Sequence, residues 1–334
     1  MKIIVDAFGG DNAPLEILKG CAEAVEAYDV DIILTGNEKV IRRVAKENKI
    51  SLHRMEIAHT DCVLTMEDHP NAVRKEKKDS SMALGLRMVA EGKGDAFVSA
   101  GNSGAMTVGT STIVRRIKGI KRVAFGAVIP SATGNMLLLD SGANAECRAD
   151  MLHQFALMGK IYMERVMGVQ DPKIGLANVG EEEHKGSALY QETYQLLKND
   201  PSLQFVGNVE GRDMPTGVAD VIIADGFVGN MILKVYEGVA LFVLKMFKDV
   251  FFKSTKNKLA AAVIKNDLSA LKEAMDYNET GGAPIMGARK PVFKAHGSSK
   301  ANTIKNAIRL TKDYVSNHVV EIITEAVSAQ EDED

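Results

Sequence analysis

Six short loops along the sequence place glycine beside aspartate, asparagine or serine, a combination that suits the binding of an anion. Glycine lets backbone N–H groups approach a ligand closely, and the polar side chains supply further donors. Each loop taken alone is more often a tight turn or a helix cap. Their number favours a polar crevice, with these candidate ligand-binding residues: Asp6, Gly9, Gly10, Ser99, Gly101, Asn102, Ser103, Gly104, Asp140, Asn144, Asn178, Gly180, Gly226 and Gly229.

A second group of residues consists of candidates for the reaction itself: Lys185, Asp225, Asn230 and His296, with Lys294 as a further candidate for binding the substrate. Lys185 follows three glutamates at the predicted start of a helix, where a cation opposes the helix dipole. Either the glutamates or a bound phosphate can compensate this charge, and the sequence favours neither. His296 has two possible roles: a buried structural imidazole, or a hydrogen-bond donor that faces the substrate.

Motifs for nucleotides and metals do not match this sequence. It lacks the glycine patterns of dinucleotide and P-loop sites. Ser103 is flanked as in a nucleophile elbow, but Ala105 stands where that motif closes with glycine, so Ser103 is interpreted as a helix cap or a phosphate donor. The three cysteines and seven histidines are scattered, and we therefore expect no metal site and no cofactor.

The elements that position these loops are predicted from hydrophobic spacing. Strands are predicted at 2–7, 31–35, 52–58, 95–100, 122–128, 136–140, 173–178, 203–207 and 220–225, and helices at 13–28, 81–91, 148–167 and 187–198. This alternation predicts one α/β domain, residues 1–334, with three α/β/α layers around a mainly parallel sheet. Because the carboxyl ends of parallel strands share one edge, we expect the six loops to converge there.

Beyond residue 225 the pattern becomes helical, up to residue 277. Residues 281–297 are predicted to be irregular, and a last helix at 302–329 precedes an acidic tail at 330–334. Residues 245–272 carry seven lysines and two aspartates and predict a protruding helical hairpin. Its apolar tip is ringed by lysines, which favours shallow contact with an anionic membrane through Leu259, Val263 and Ile264.

The composition is that of an ordinary globular protein, with 46% hydrophobic residues and a formal charge of −3. This net charge does not favour the binding of nucleic acid. No apolar run is interpreted as a membrane span, so a cytoplasmic location is expected. Two basic clusters, at 74–78 and 115–122, are typical of solvated surface and also suit the docking of an acidic protein.

Taken in order, the polar motifs strongly resemble those of the bacterial phosphate acyltransferase family, from Asp6 to about residue 320. Phe8 and Asn12 depart from the family's pattern, where methionine and histidine are common. The resemblance implies a fold similar to isopropylmalate and isocitrate dehydrogenases and to phosphotransacetylases. It implies transfer of a fatty acyl group from acyl-acyl carrier protein to inorganic phosphate, giving acyl phosphate for phospholipid synthesis. It further implies a homodimer, peripheral association with the inner face of the cell membrane, and a membrane-bound glycerol-3-phosphate acyltransferase as a partner.

On this interpretation phosphate lies near Ser103, Gly104, Lys185 and Asn230. Asp225 and Asn144 orient donors, and Lys294 and His296 serve the oxyanion or the prosthetic arm of the carrier. Three alternatives remain: a phosphotransacetylase that uses acyl-CoA, a decarboxylating dehydrogenase that needs NAD(P) and a metal, and a lipid- or carrier-binding module without enzymatic activity.

Overall fold

The computed structural model describes residues 1–264 and 281–333, which form an α/β protein with helices on both faces of an 11-stranded sheet. The strand order in the sheet is β3-β2-β1-β4-β11-β10-β5-β6-β9-β7-β8. The strands are β1 Lys2–Asp6, β2 Asp31–Gly36, β3 Met55–His59, β4 Ala96–Ser99, β5 Ala124–Ser131, β6 Gly134–Leu139, β7 Lys173–Asn178, β8 Gln204–Glu210, β9 Val221–Ile223, β10 Ala283–Met286 and β11 Val292–Lys294. The helices are α1 Leu15–Tyr28, α2 Glu38–Glu47, α3 Ser81–Ala90, α4 Ser103–Gly109, α5 Ala149–Arg165, α6 Ala188–Asn199, α7 Gly226–Phe252, α8 Thr255–Val263, α9 Ala301–Ser316 and α10 Val319–Glu333.

The buried core explains why these segments form strands and helices. Ile3, Ile4 and Val5 of β1 are all buried, as expected for a strand covered on both faces. On α1, the buried Leu18, Cys21 and Val25 recur at the spacing of one helix face, and this helix packs against α9. Helix α5 packs against α6 and α10, on the other half of the sheet.

The sheet consists of two groups of strands that run in opposite directions. β1, β2, β3, β4 and β11 are parallel, whereas β6, β7, β8 and β9 run the other way because β5 and β6 form an antiparallel hairpin that turns between Ser131 and Gly134. The expectation that all six polar loops leave one edge is therefore wrong. The short connection between the predicted strands at 122–128 and 136–140 favours such a hairpin, since parallel neighbours need a longer crossover.

Two further expectations differ from the structure. The stretch 281–297 was expected to be irregular, but β10 and β11 lie within it and pair in the middle of the sheet, between β4 and β5. The single last helix is in fact two, α9 and α10, because the chain breaks at 317–318, where His318 adopts φ 52°.

Helix α7 extends away from the sheet. It is 27 residues long, and α8 begins at Thr255 with the Ser254 side chain as its cap, so the two helices meet where the sequence predicts. The rest of the predicted hairpin, 265–272, lies outside the described residues. Contrary to the expectation that no run resembles a membrane span, α7 is long and apolar enough to cross one, with mean hydropathy 1.6 over 18 residues and 6% of that window buried. Length and composition alone are weak evidence, because core helices pass the same test.

Candidate functional site

A cavity of about 450 Å³ lies where loops from both strand groups meet. Three lining residues follow strands of the first group: Asp11 lies in the loop after β1, Ser103 begins α4, and His296 lies in the loop after β11. Two others follow strands of the second group: Ser141 lies after β6, and Asn230 lies on α7, after β9. Its apolar lining consists of Met66, Phe125, Ala127, Val128, Leu233 and Ala283. The cavity is therefore lined by polar and charged side chains from several loops and by apolar side chains, three of which belong to β5.

The loops after β1 and β4 are joined through a buried aspartate. The Ser99 hydroxyl donates to the Asp6 carboxylate at 2.8 Å and accepts from the Gly101 N–H at 3.0 Å. Burial raises the pKa of Asp6, and the Ser99 hydrogen bond opposes that rise. A Cβ atom at Gly9 would lie 2.6 Å from the Ser99 Oγ, so only glycine lets the two loops approach this closely. Gly10 lies beside Gly9 and continues the same loop toward Asp11.

Asn102 holds the start of α4 in place. Its side-chain oxygen accepts from the Ala105 N–H at 3.0 Å, and its amide donates to the carbonyl oxygens of Met66 and Asp68. The Asn102 side chain is therefore committed to structure. The next residue, Ser103, is exposed and lines the cavity, and Gly104 packs beside Pro70.

The loop after β6 is organised around the carboxylate of Asp140. This carboxylate accepts from the N–H groups of Phe125, Gly142, Ala143 and Asn144, and from the Asn144 side-chain amide at 2.9 Å. Burial raises the pKa of Asp140, and these donors oppose the rise. Asp140 and Asn144 thus shape the loop that presents Ser141 and Gly142 to the cavity.

Asp225 caps α7 and fixes its direction. Its carboxylate accepts from the N–H groups of Phe227 and Val228 at 2.9 Å and from the Tyr190 hydroxyl at 2.8 Å. Gly226 donates its N–H to the Asn144 carbonyl oxygen. A Cβ atom at Gly229 would lie 1.9 Å from the Asp140 carbonyl oxygen. Gly226 and Gly229, in the first turn of α7, therefore let the helix pack directly on the loop after β6.

Lys294 supplies the buried cation of the cavity. Only 8% of this residue is exposed, and its Nζ donates to the carbonyl oxygens of Ala295 and, at 3.4 Å, Ala100. Burial lowers the pKa of Lys294 to about 8, although the charge of Asp11 opposes the shift. In the described part of the chain no carboxylate lies within ion-pair distance of Lys294, so an anion in the cavity would complete its environment.

His296 lies beside Lys294 and is half-buried. Burial lowers its pKa, and the charge of Lys294 lowers it further, so the imidazole is neutral near neutral pH. Its Nδ1 accepts from the Ser298 N–H at 3.3 Å and lies 2.8 Å from the Ser298 hydroxyl. If Nδ1 is the acceptor, the proton of the neutral ring is on Nε2, which is then a donor.

Sequence reasoning missed Lys234 and Glu237, which form an ion pair of 2.8 Å on the cavity wall. Both lie on the face of α7 that begins with Asn230, at the spacing of successive helix turns. A search for polar residues three or four positions after a candidate could have found them. Asp11 follows the candidate Gly10 and lines the cavity, but it was not predicted as a site residue.

Lys185, Asn178 and Gly180 lie outside the cavity lining. The Lys185 Nζ is 3.9 Å from the Glu182 carboxylate, and Asn178 donates to the Lys185 carbonyl oxygen and to the Asn208 side chain. This loop is joined to the cavity region through Tyr190 and Asp225. Of the predicted site residues, Ser103, Asn230, Lys294 and His296 meet in the cavity. Within the described ranges no group of three or more His, Cys, Asp or Glu is arranged to hold a metal ion.

Comparison with known proteins assigns the chain to a family. Residues 1–322 match the family described as "Fatty acid synthesis protein". The chain is 45% identical over 334 residues to a phosphate acyltransferase of Alkaliphilus oremlandii, covering 100% of this chain and 99% of that protein. It is 46% identical over 320 residues to the phosphate acyltransferase of Thermoanaerobacterium thermosaccharolyticum, covering 96% and 95%.

Among solved structures, a phosphotransacetylase from Streptococcus pyogenes superposes with a TM-score of 0.64 at 16% identity, covering 95% of this chain and 94% of that one. At this identity the likeness concerns the fold alone, and it agrees with the predicted α/β/α architecture. The family match and the full-length relatives decide the assignment: the chain belongs to the phosphate acyltransferases, a family of transferases.

Proposed function

We propose that this protein transfers a fatty acyl group from acyl-acyl carrier protein to inorganic phosphate, giving acyl phosphate for phospholipid synthesis. The observation that carries the proposal is the buried Lys294 in a cavity that is also lined by apolar side chains of β5 and α7. A phosphate ion beside Lys294 would compensate the buried ammonium group, and Ser103 and Asn230 line the same cavity as further donors. Lys185 remains a proposed phosphate ligand, which the loop after β7 would have to bring closer.

The reaction needs little activation of either partner. An oxygen of HPO₄²⁻ attacks the thioester carbonyl carbon, and the carbonyl oxygen becomes an oxyanion. Lys294 and the neutral His296 ring are the donors that can stabilise this charge. The intermediate expels the carrier's thiolate, which is a good leaving group because the thiol has an ordinary pKa of about 8.5. The thiolate then receives the proton that phosphate loses. The products are acyl phosphate and the free carrier thiol, and no cofactor is consumed.

The apolar wall of the cavity suits the other part of the substrate. Phe125, Ala127 and Val128 of β5 and Leu233 of α7 all line the cavity. Burying an aliphatic chain there contributes about 0.8 kcal/mol for each CH₂ group removed from water. The wall therefore favours a fatty acyl group over a short polar one.

The test incubates the protein with phosphate and a palmitoyl thioester of either acyl carrier protein or coenzyme A. We expect acyl phosphate and free thiol in equal amounts from the carrier thioester. Faster turnover of the coenzyme A thioester would instead make the protein a phosphotransacetylase of the neighbouring kind. Absence of acyl phosphate with both donors would refute the proposed function.

The homodimer is proposed from the exposed apolar face of α7. Its side chains recur every three or four residues, so they form a stripe along one side of the helix. Each member is at least 52% exposed: Phe227, Met231, Val235, Val239, Phe242, Met246 and Val250. A second copy of the chain is the proposed occupant. Sedimentation should give twice the 36.1 kDa chain mass, and Phe242→Glu should give the monomer, while Lys248→Ala on the same helix should not.

Peripheral contact with the inner face of the cell membrane is proposed for the tip of α8. Leu259 and Ile264 are exposed, and Val263 is 85% exposed, while Lys256 and Lys258 flank them. A long-chain acyl phosphate is lipid-like, so release at the membrane suits its use by a membrane-bound glycerol-3-phosphate acyltransferase. Leu259→Glu with Ile264→Glu should abolish flotation with anionic vesicles and leave turnover in solution intact. The control Val218→Glu, which changes an exposed valine elsewhere, should float as the wild type does.

A further inference from the structure

The fold assembles a basic surface from two distant parts of the chain. The Arg289 N–H donates to the Arg115 carbonyl oxygen at 3.0 Å, and the Arg289 Nε donates to the Arg116 carbonyl oxygen, also at 3.0 Å. A β-bridge between Arg116 and Ala288 fixes the two segments together. As a result, Arg289 and its neighbour Lys290 join the basic cluster at 115–122. We call these two segments the 115–290 surface.

The 115–290 surface carries a large uncompensated charge. Residues 115–122 contain five basic and no acidic side chains, and 289–290 add two more basic ones. Only Lys121 has an ion-pair partner among the described residues, Asp150 at 2.6 Å, and Arg148 shares that carboxylate. The whole chain, by contrast, has a formal charge of −3. A surface of this sign in a net acidic protein suits an acidic partner.

The other basic cluster of the sequence is different. Residues 74–78 lie in a stretch, 67–79, that contains four basic and four acidic side chains, so their charges cancel. One of the acidic residues, Asp79, lies 3.4 Å from Arg87. The sequence made both clusters equally suitable for docking an acidic protein, but of the two only the 115–290 surface has a net positive charge.

The 115–290 surface also lies close to the cavity. Arg122 is three residues before Phe125, which lines the cavity, so at most about 11 Å of chain separates the two at about 3.6 Å per extended residue. The Val123 carbonyl oxygen accepts from Asn144 at 2.7 Å, which ties this edge to the loop beside the cavity. A flexible prosthetic arm that starts at the surface can follow β5 into the cavity.

We propose that the 115–290 surface docks the acidic face of the carrier protein, with its thioester arm entering the cavity along β5. The proposal rests on the proposed function for the identity of its partner. Five exposed side chains form the docking site: Arg115, Lys118, Arg122, Arg289 and Lys290.

The test uses the triple variant Lys118→Glu, Arg122→Glu and Lys290→Glu in the full-length protein. None of these side chains lines the cavity or makes a hydrogen bond to the protein that the structure describes. We expect kcat/KM for the palmitoyl carrier protein to fall at least tenfold, mainly through KM, and its salt dependence to weaken. With palmitoyl-pantetheine, which has no protein surface, turnover should not change. The matched control Arg74→Glu, Lys75→Glu and Lys78→Glu introduces the same charge and should leave carrier kinetics within twofold.

Binding of the carrier, measured by fluorescence anisotropy, separates this proposal from the proposed function. If the wild type binds the carrier and the triple variant does not, the docking surface stands even where turnover is absent. If wild-type turnover is normal and the triple variant equals it, the docking surface is refuted and the function stands. Equal losses in the control variant, or with palmitoyl-pantetheine, would also overturn the proposal. So would a triple variant that keeps carrier kinetics but loses binding to a DNA oligomer or to anionic vesicles.

Discussion

β11 and the loop after β7 each carry a lysine that the sequence marks as a candidate, Lys294 for the oxyanion or the carrier's arm and Lys185 for phosphate, and the fold places the two lysines in different environments. Lys294 is 8% exposed and lies in the cavity, with carbonyl oxygens as its neighbours. The Lys185 side chain is 42% exposed and lies 3.9 Å from Glu182. An exposed ion pair of this kind contributes about 0–1 kcal/mol, whereas a buried cation without a counterion is costly. Burial, which the sequence does not display, thus makes Lys294 the cation that gains more from a bound anion.

Replacing Lys294 should have the largest effect. Lys294→Met removes a charged donor from the phosphate, a loss of about 1.5–3 kcal/mol for each hydrogen bond, so kcat/KM for phosphate should fall about a hundredfold. The folded-state pKa of about 8 lies below the ordinary value of 10.5, so burying the ammonium destabilises the fold in full below about pH 8, and this penalty fades as pH rises toward 10.5. The melting temperature of Lys294→Met at pH 7 should therefore not fall. A variant that unfolds, or that keeps normal phosphate kinetics, would show that Lys294 is structural.

Gly229→Ala should break the contact between α7 and the loop after β6. The added Cβ would lie 1.9 Å from the Asp140 carbonyl oxygen, so the helix must shift, at a cost of about 1–3 kcal/mol. Urea unfolding should show this loss, and turnover should fall because Asn230 moves with the helix. Gly211→Ala is the control, since a Cβ there meets nothing within 4 Å. Equal stability of the two variants would contradict the packing described for α7.

Lys185→Ala tests whether the second lysine, in the loop after β7, also binds phosphate. If the loop after β7 brings Lys185 to the phosphate, the apparent KM for phosphate should rise about tenfold while the KM for the acyl carrier stays unchanged. The measurement is steady-state turnover with phosphate varied at a saturating acyl donor, with Glu182→Ala as the control for the ion pair. Unchanged phosphate kinetics in Lys185→Ala would assign Lys185 to its pair with Glu182 alone.

Removing the cysteines should have the smallest effect. Cys21 is buried, and burial together with the charges of Asp140 and Asp225 raises the pKa of Cys147 to about 12, so neither is a reactive thiolate. A protein with Cys21, Cys62 and Cys147 all changed to Ala should keep most of its turnover. Trapping a covalent acyl-enzyme from the wild type by acid quench and mass spectrometry would contradict direct transfer to phosphate.

Much of the fold follows from local pattern. β1, β2 and β7 lie within one residue of their predicted bounds because each is an apolar run bounded by polar residues. β10 and β11 were missed because strands of four and three residues have little pattern of their own and are held by their neighbours in the sheet. Hydrophobic alternation does not give the reversal of strand direction at the β5–β6 hairpin; in the sequence only the short connection between the two strands indicates it.

The candidate site was predicted less completely, for physical reasons. Glycine-rich loops are visible in sequence, but whether they bind a ligand or pack on one another depends on the fold. Gly9 and Gly229 turn out to permit close packing, and Asn102 and Asp225 cap helices. The burial of Lys294 could not be inferred, because it depends on residues distant in the sequence, such as Ala100, whose carbonyl oxygen accepts from the Lys294 Nζ.

The most direct test of the account is the pH dependence of the apparent KM for phosphate between pH 6.5 and 9.5. Because burial lowers the pKa of Lys294 to about 8, the ammonium group loses its proton as pH rises through that value. We therefore predict that the phosphate KM of the wild type rises above pH 8. In Lys294→Arg the guanidinium stays charged, since its pKa is above about 12, so this rise should disappear even if turnover is lower. A wild-type KM that stays flat to pH 9.5, or the same rise in Lys294→Arg, would contradict the claim that Lys294 binds the phosphate.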